Sequence, residues 1–566
     1  MPSRFNLRRV VRSAIGAVIA SLMIASTVAC ATIPQSSEVR YRGDINNNLS
    51  SDYLYYSPAG PAKGMTQREI LSGFINAATG PQNDYAVARQ YLSTGAKTRW
   101  SPNTETLVQR GTAVTQLLLD NMANVQVGVQ ARVDSAGHYQ VLPAGSSRTL
   151  QYTFVLQNGE WRISSAPDLT LLMRPVFDVI FHSYSVYFWS SGHTYLVPDV
   201  RWFPARSSTA TRMVTALLNG PSDWLSVTTI DAPKGTELAI DSVPVLNDTA
   251  QVNLNQAFLS TSQSQRRYFL AQLSETLKQL PGLQKVQILV QNSPLDIAEM
   301  TLPESSFETT SPVVLINGAL TQVDSTSDSS LRNAAGMLKS LLATDFAISR
   351  NRMMIAIKGA KGTWEASLGS LATSLKLIDS RPNLLSPVFD ANNSVWTHTD
   401  NGDDSFVVTS AGGGATAVSS VWLKGLKIRE FALSPEGARI AILAGTKGHY
   451  RVYLSAIQRD VFGVPVALHQ PIELTRITRS PISLAWGSPN QVVVLYSQGA
   501  DQPAQPVSYL IGGDFSQLAP ANNARRVLAS STGAVYVLTN DGLLLENNAY
   551  TWLTRSNGVL AAHFAK

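Results

Sequence analysis

The sequence predicts a multidomain protein of mixed class, with two α+β domains followed by an all-β propeller. Three observations predict it. In the first half, segments with apolar residues at helical spacing precede segments in which apolar and polar residues alternate. Beyond residue 313 the helical spacing fades, and short apolar runs broken by polar or glycine turns recur about every 40 to 50 residues. Hydrophobic residues make up 44% and charged residues 15% of the 566, so the chain has the means to bury several ordinary cores.

The N-terminus is set apart from the folded body. Arg4, Arg8, Arg9 and Arg12 form a basic patch with no acidic residue near it. The apolar run Ala14-Ile-Gly-Ala-Val-Ile-Ala-Ser-Leu-Met-Ile-Ala25 follows, which suits a signal peptide and is too short to span a membrane comfortably. Thr27-Val28-Ala29-Cys30 then places small residues before the only cysteine of the chain. This resembles the bacterial lipobox, although Thr27 stands where a leucine is usual. The resemblance implies a diacylglycerol on the Cys30 sulfur, removal of residues 1–29, and an acyl group, such as palmitate, on the new N-terminus. The alternative is an ordinary cleaved signal with a chance cysteine. Lipidation is favoured because a lone thiol forms no internal disulfide and serves an exported protein poorly. No later stretch approaches the ~18 consecutive apolar residues of a membrane helix. The expected location is therefore the outer face of the plasma membrane, held by lipid.

The formal charge of +6 is misleading. Without the four signal arginines, 41 basic residues face 39 acidic ones, a net of +2. No Lys/Arg run stands in the mature part, which argues against nucleic acid as a partner. Residues 30–63, rich in Pro, Ser, Asn and Gly, read as a flexible tether.

The first domain is expected over 64–175. Thr66-Gln-Arg-Glu69 fits a capping box, with Met65 and Ile70 placed as a hydrophobic staple. Ile70, Leu71, Phe74, Ile75 and Ala78 make one helix face, and Gly80-Pro81 stops it. A second helix follows Asp84 through Val87, Ala88, Tyr91 and Leu92. Val125, Val127, Val129, Ala131 and Val133 then alternate, as do Leu150, Tyr152, Phe154 and Leu156. Asn158-Gly159 is a two-residue hairpin signal before Trp161 and Ile163. Helices followed by a meandering sheet resemble the nuclear transport factor 2 (NTF2-like) domains.

The second domain is expected over 176–305. Its lead-in is aromatic, with Tyr184, Tyr187, Phe188, Trp189 and Tyr195 before Val197-Pro-Asp-Val-Arg-Trp202. A strand pair is the plain reading, and an aromatic partner surface is the sharper one. A helix from Thr209 through Met213, Ala216 and Leu217 ends at Asn219-Gly-Pro221. Strand Val252-Leu254 precedes a longer helix with Phe269, Leu270, Leu273, Leu277 and Leu280, stopped by Pro281-Gly282. Val286, Ile288 and Val290 form the next strand. The series Ala216-Leu-Leu-Asn-Gly-Pro-Ser222, Pro233-Lys-Gly-Thr236, Val252-Asn-Leu254 and Thr276-Leu-Lys-Gln-Leu-Pro-Gly282 resembles the GerMN domain of spore germination and sporulation proteins. With Val197–Trp202 upstream, the layout of nearly the whole chain resembles the actinobacterial lipoprotein family LpqB.

Leu302 to Pro312 reads as a linker, and a propeller is expected over 313–566. Phe346-Ala-Ile348 before Met353–Ile357, Phe431-Ala-Leu before Ile440–Leu443, Leu484-Ala-Trp486 before Val492–Leu495, and Val527-Leu-Ala529 before Val535–Leu538 share one design. The span allows about five or six blades, and a pair of β-sandwiches is the alternative fold. The LpqB resemblance also implies a C-terminal propeller.

The search for chemistry finds no nucleophile elbow, zincin motif or phosphate loop. His138, His182, His193, His398, His449, His469 and His563 are scattered without ligand spacing, and His182 and His193 read as structural. Asp403-Asp404 and Asp324 with Asp328 read as solvated turns rather than calcium ligands. No catalytic residue, metal or cofactor is expected. Two function classes follow. In the first, the family resemblance implies a non-enzymatic lipoprotein that binds the extracellular domain of a sensor histidine kinase, MtrB of the MtrA–MtrB two-component system, and affects envelope upkeep and division. In the second, the protein binds or hydrolyses cell-wall glycan through the propeller channel, with Trp396, Trp422, Trp486 and Trp552 as candidate ring-lining aromatics.

Overall fold

The computed structural model describes residues 58–565 except positions 120, 207, 303–310, 325–330, 332, 369–374, 447, 475, 476, 478, 500 and 501. Cys30, the signal segment, most of the tether and of the linker, and Asp328 lie outside the described residues.

The first helix, Gln67–Ala77, starts as its capping box requires. The Glu69 N–H donates to Thr66 Oγ1 at 3.3 Å, and the Thr66 N–H donates to Glu69 Oε2 at 2.8 Å. The next helix is the short Ala86–Gln90, because Asn83, Asp84 and Tyr85 all adopt positive φ and delay its start. A third helix, Thr94–Arg99, follows without any apolar spacing to announce it. These helices lie on a sheet ordered Glu160–Ser165, Ser147–Gln157, Met122–Asp134, Glu105–Leu117, Thr170–Met173, with Tyr139–Val141 also beside Met122–Asp134. Ile70, Leu71 and Phe74 pack with Val125, Val127 and Val129 in its core. Asn158 and Gly159 take φ of 54° and 79°, the left-handed pair that a tight hairpin with twisted strands needs.

The aromatic lead-in begins with a helix, Arg174–Ile180, and continues as the hairpin Phe181–Ser190 with Leu196–Pro204. Helix Thr209–Leu218 packs below it. Strands Thr249–Leu254 and Lys285–Val290 run parallel, joined by helix Gln263–Leu277. A second capping box, Ser262 with Gln265, starts that helix. It stops at Leu277, ahead of Pro281-Gly282, and Leu280 packs at the margin of the core instead of continuing the helix.

From Val313 onward the described strands group into six blades around one axis. Blades 1, 4 and 5 are four-stranded sheets covering Asp345–Asp379, Pro481–Gln517 and Ala524–Ser556. Blades 2 (Val388–Ser419) and 3 (Lys427–Glu473) are joined at their rims, where Ser419 pairs with Ala467. Blade 6 is made from both ends of the domain. Ala561–His563 supplies its inner strand and pairs antiparallel with Val313–Ile316, Val313 opposite His563 and Leu315 opposite Ala561. That exchange closes the ring and removes the free edges that an open sheet would expose. The second strands of blades 3, 4 and 5, Arg439–Thr446, Gln491–Tyr496 and Val535–Thr539, are buried on both faces along nearly their whole length, so they read as continuous apolar runs rather than alternating ones.

Candidate functional site: the propeller channel and the domain junction

The six inner strands surround a cavity of about 80 Å³. Small-molecule sites start at about 300 Å³, so the channel offers no room for a glycan. Of the four tryptophans Trp486 alone borders it, with its ring fully buried, so they form no binding ring. Trp396 and Trp486 are buried in packing between blades, while the indole N–H of Trp422 donates to the His469 carbonyl at 3.0 Å and that of Trp552 to the Pro520 carbonyl at 3.0 Å. Each ring is used to weld a blade to its neighbour.

The channel wall instead carries a charged cluster drawn from all six blades or the loops entering them. Arg526 Nη1 donates to Asp345 Oδ2 at 2.8 Å, and Arg526 Nε lies 3.2 Å from Glu430 Oε1. His563 Nε2 is 2.6 Å from Asp345 Oδ1. Ser386 Oγ also donates to Asp345, and the Leu484 N–H donates to Glu430 Oε2 at 2.7 Å. Burial opposes the charge on Asp345. Arg526 and His563 outweigh it, so its carboxyl is held well below the usual range. Burial pushes Glu430 upward against the pull of Arg526. All of these oxygens are spoken for within the protein, and the arrangement is that of an ionic ring joining blades. His563, one of the scattered histidines, finds its partner 218 positions away.

The other histidines serve locally. His193 stacks on Tyr268 at 4.0 Å, His398 is buried against Phe406, and His182 sits on the hairpin opposite Phe203. Asp403 accepts from Thr399 Oγ1 at 2.6 Å in a loop, and Asp324 is a turn residue with positive φ. No group of three or more His, Cys, Asp or Glu among the described residues is placed to hold a metal ion.

The segment Val197–Trp202 is where the three domains meet. Asp199 and Arg201 form a buried ion pair at 2.6 Å, and the Ser222 N–H and Oγ also donate to Asp199. Arg201 Nη1 reaches the Ala136 carbonyl of the first domain at 3.2 Å, and the Trp202 N–H donates to the Gly137 carbonyl at 2.7 Å. Gly137 has φ of 86°, and a Cβ there would stand 2.7 Å from the Phe203 ring, so only glycine fits this close approach. Tyr139, Phe177 and Trp202 pack ring to ring, with centroids 5.1 to 5.8 Å apart. Toward the propeller, Trp202 Nε1 donates to the Gly512 carbonyl at 2.9 Å, Asn490 Nδ2 to Ser185 Oγ at 2.7 Å, and Arg174 pairs with Asp514. The fully buried Arg439 pairs with Glu436 at 2.6 Å, donates to the Pro489 carbonyl at 2.6 Å and reaches the Pro198 carbonyl at 3.5 Å.

Beside this junction a cleft of about 630 Å³ opens between the domains. His138 and Tyr139 border it from the first domain, Pro198 and Trp224 from the second, and His469 and Ile472 from the propeller. Its volume lies within the range of ligand sites. The aromatic segment singled out in the sequence is thus used in packing, with Phe188 in the core of the second domain, Trp189 against Tyr268 and Trp202 in the junction. The cleft residues Asp223, Trp224 and His469 carried no sequence signal of a shared site, because they come from two turns far apart in the chain.

Three family descriptions match the chain in succession. Residues 60–178 match the lipoprotein LpqB N-terminal domain, 185–296 the sporulation and spore germination domain, and 318–561 the lipoprotein LpqB beta-propeller domain. The lipoprotein LpqB of Cutibacterium acnes is 25% identical over 94% of this chain and 96% of its own length. That of Rhodococcus jostii is 26% identical over 95% and 94%. The chain belongs to the LpqB lipoprotein family. Among solved structures, the first GerMN domain of the sporulation protein GerM from Bacillus subtilis is similar at 18% identity, covering 22% of this chain and 92% of that one with a TM-score of 0.18. Membership in the LpqB family implies a membrane-anchored lipoprotein, and no helix among the described residues is long and apolar enough to cross a membrane. The family name carries no enzymatic activity.

Proposed function

We propose that this LpqB-family protein is a non-catalytic docking scaffold. It is anchored by lipid on Cys30 at the outer face of the plasma membrane and binds the extracellular domain of an MtrB-like sensor histidine kinase. The kinase comes from the family resemblance. The observation that carries the scaffold reading is the buried junction at Val197–Trp202, which makes three domains one body and leaves a cleft between them. A body of fixed shape can favour one conformation of a partner over another, and a ligand shifts an equilibrium only through such a difference in affinity. Two acyl chains on Cys30 hold a protein stably on a bilayer, where one chain binds reversibly.

The test is vesicle flotation with the purified kinase extracellular domain. Wild-type protein floats and carries the kinase domain with it. Cys30→Ala stays in the soluble fraction yet still binds the kinase domain in solution. A kinase domain that fails to bind either form defeats the partner assignment, and a Cys30→Ala protein that floats defeats the anchor.

A further inference from the structure

The cleft has a chemical character of its own. No Lys or Arg lines it. The Asp199 carboxylate there is already taken by Arg201 and Ser222. The Asp223 carboxylate is different. It sits at the start of the short 3₁₀ turn Asp223–Leu225, exposed, and no described side chain or backbone N–H pairs with it. Next to it Trp224 packs one part of its ring against the buried cores of the second domain and blade 3, and no described residue accepts from its indole N–H. A half-buried tryptophan ordinarily finds a partner for that N–H. Pro198, Pro221 and Pro471 also border the cleft and bring no backbone N–H, while Gln140 and Gln470 place polar amides along it.

An indole N–H over a proline-walled groove suits the carbonyl of an extended peptide, the way proline-rich segments lie on aromatic grooves. An unpaired carboxylate beside an aromatic face suits a cation, through both charge and the ring quadrupole. We infer that the cleft is a binding site for an extended peptide segment of a partner protein, carrying a lysine or arginine that pairs with Asp223 while Trp224 donates to the peptide backbone. This deepens the docking reading and rests on it for the source of the peptide. The site itself is tested separately.

The full-length protein in detergent is titrated with fluorescein-labelled Pro-Lys-Pro-Lys-Pro and read by fluorescence anisotropy, with Pro-Glu-Pro-Glu-Pro as the control. The lysine peptide binds at least about tenfold tighter than the glutamate peptide, and Asp223→Asn removes most of that preference, as loss of a charge-assisted contact should. Trp224→Leu weakens the lysine peptide by a similar factor. Asp223 is exposed, so Asp223→Asn leaves the thermal midpoint unchanged and the loss is not one of folding. Equal binding of the two peptides, or an unchanged affinity in Asp223→Asn, overturns the assignment. The kinase extracellular domain is run against the same proteins. If it binds wild type and both variants equally, the cleft assignment falls and the kinase reading stands. If the lysine peptide behaves as stated and the kinase domain does not bind, the reverse holds.

Discussion

Single buried charges show how tightly this protein depends on pairing. Arg439 is fully buried and its only carboxylate partner among the described residues is Glu436, itself buried. Arg439→Met leaves that carboxylate unpaired away from water, and breaking a buried pair in this way costs about 3–5 kcal/mol. A thermal or urea unfolding curve checks it, and the double variant Arg439→Met/Glu436→Leu should recover much of the loss. Asp345 gives a pH signature. Its folded pKa lies below the ordinary 3.8, so its ion pairs stabilise the protein fully above that value and the contribution is lost as pH falls through the depressed folded value. Glu430 runs the opposite way, since burial raises its folded pKa and its contribution is lost as pH rises through it. Asp345→Asn should therefore flatten the stability profile on the acid side of pH 4, measured by denaturant midpoints at a series of pH values. None of this was legible in the sequence. Asp345 meets Arg526 and His563 across 181 and 218 positions, and only ring closure brings them together.

Elements were legible where burial is one-sided and invisible where it is not. Met122–Asp134 alternates along nearly its whole length because one face lies on helices. Its neighbour Glu105–Leu117 is mostly exposed over its second half and so shows no alternation to read. The capping box at Thr66 was readable because it is chemistry local to four residues, and Thr66→Ala should cost about 1 kcal/mol, seen as a small fall in the thermal midpoint. Blade recurrence was readable as a period, but blade 6 was not, because its strands come from opposite ends of the domain. Deleting residues from Gly558 onward removes its inner strand and uncovers Val313 and Leu315. The expected outcome is loss of cooperative unfolding and rapid proteolysis of the C-terminal half, whereas a sharp unchanged transition would show that the closure is dispensable.

At the scale of the whole molecule, the junction converts three domains into one docking body. Trp202 holds both sides, stacking with Tyr139 of the first domain and donating to Gly512 of blade 4. The wild-type protein should unfold in one calorimetric transition, and Trp202→Ala should separate it into two and broaden the solution scattering envelope, with each domain still folded. The sequence marked this segment as unusual by its aromatic density, while its role needed the three surfaces it joins. Hydrogen exchange of the full-length protein, with and without the kinase extracellular domain, tests the central claim most directly. Protection on binding should appear in the turns around Asp223–Leu225 and His469–Ile472 that wall the cleft. A bound kinase domain that protects neither turn, or one that does not bind at all, would contradict the account.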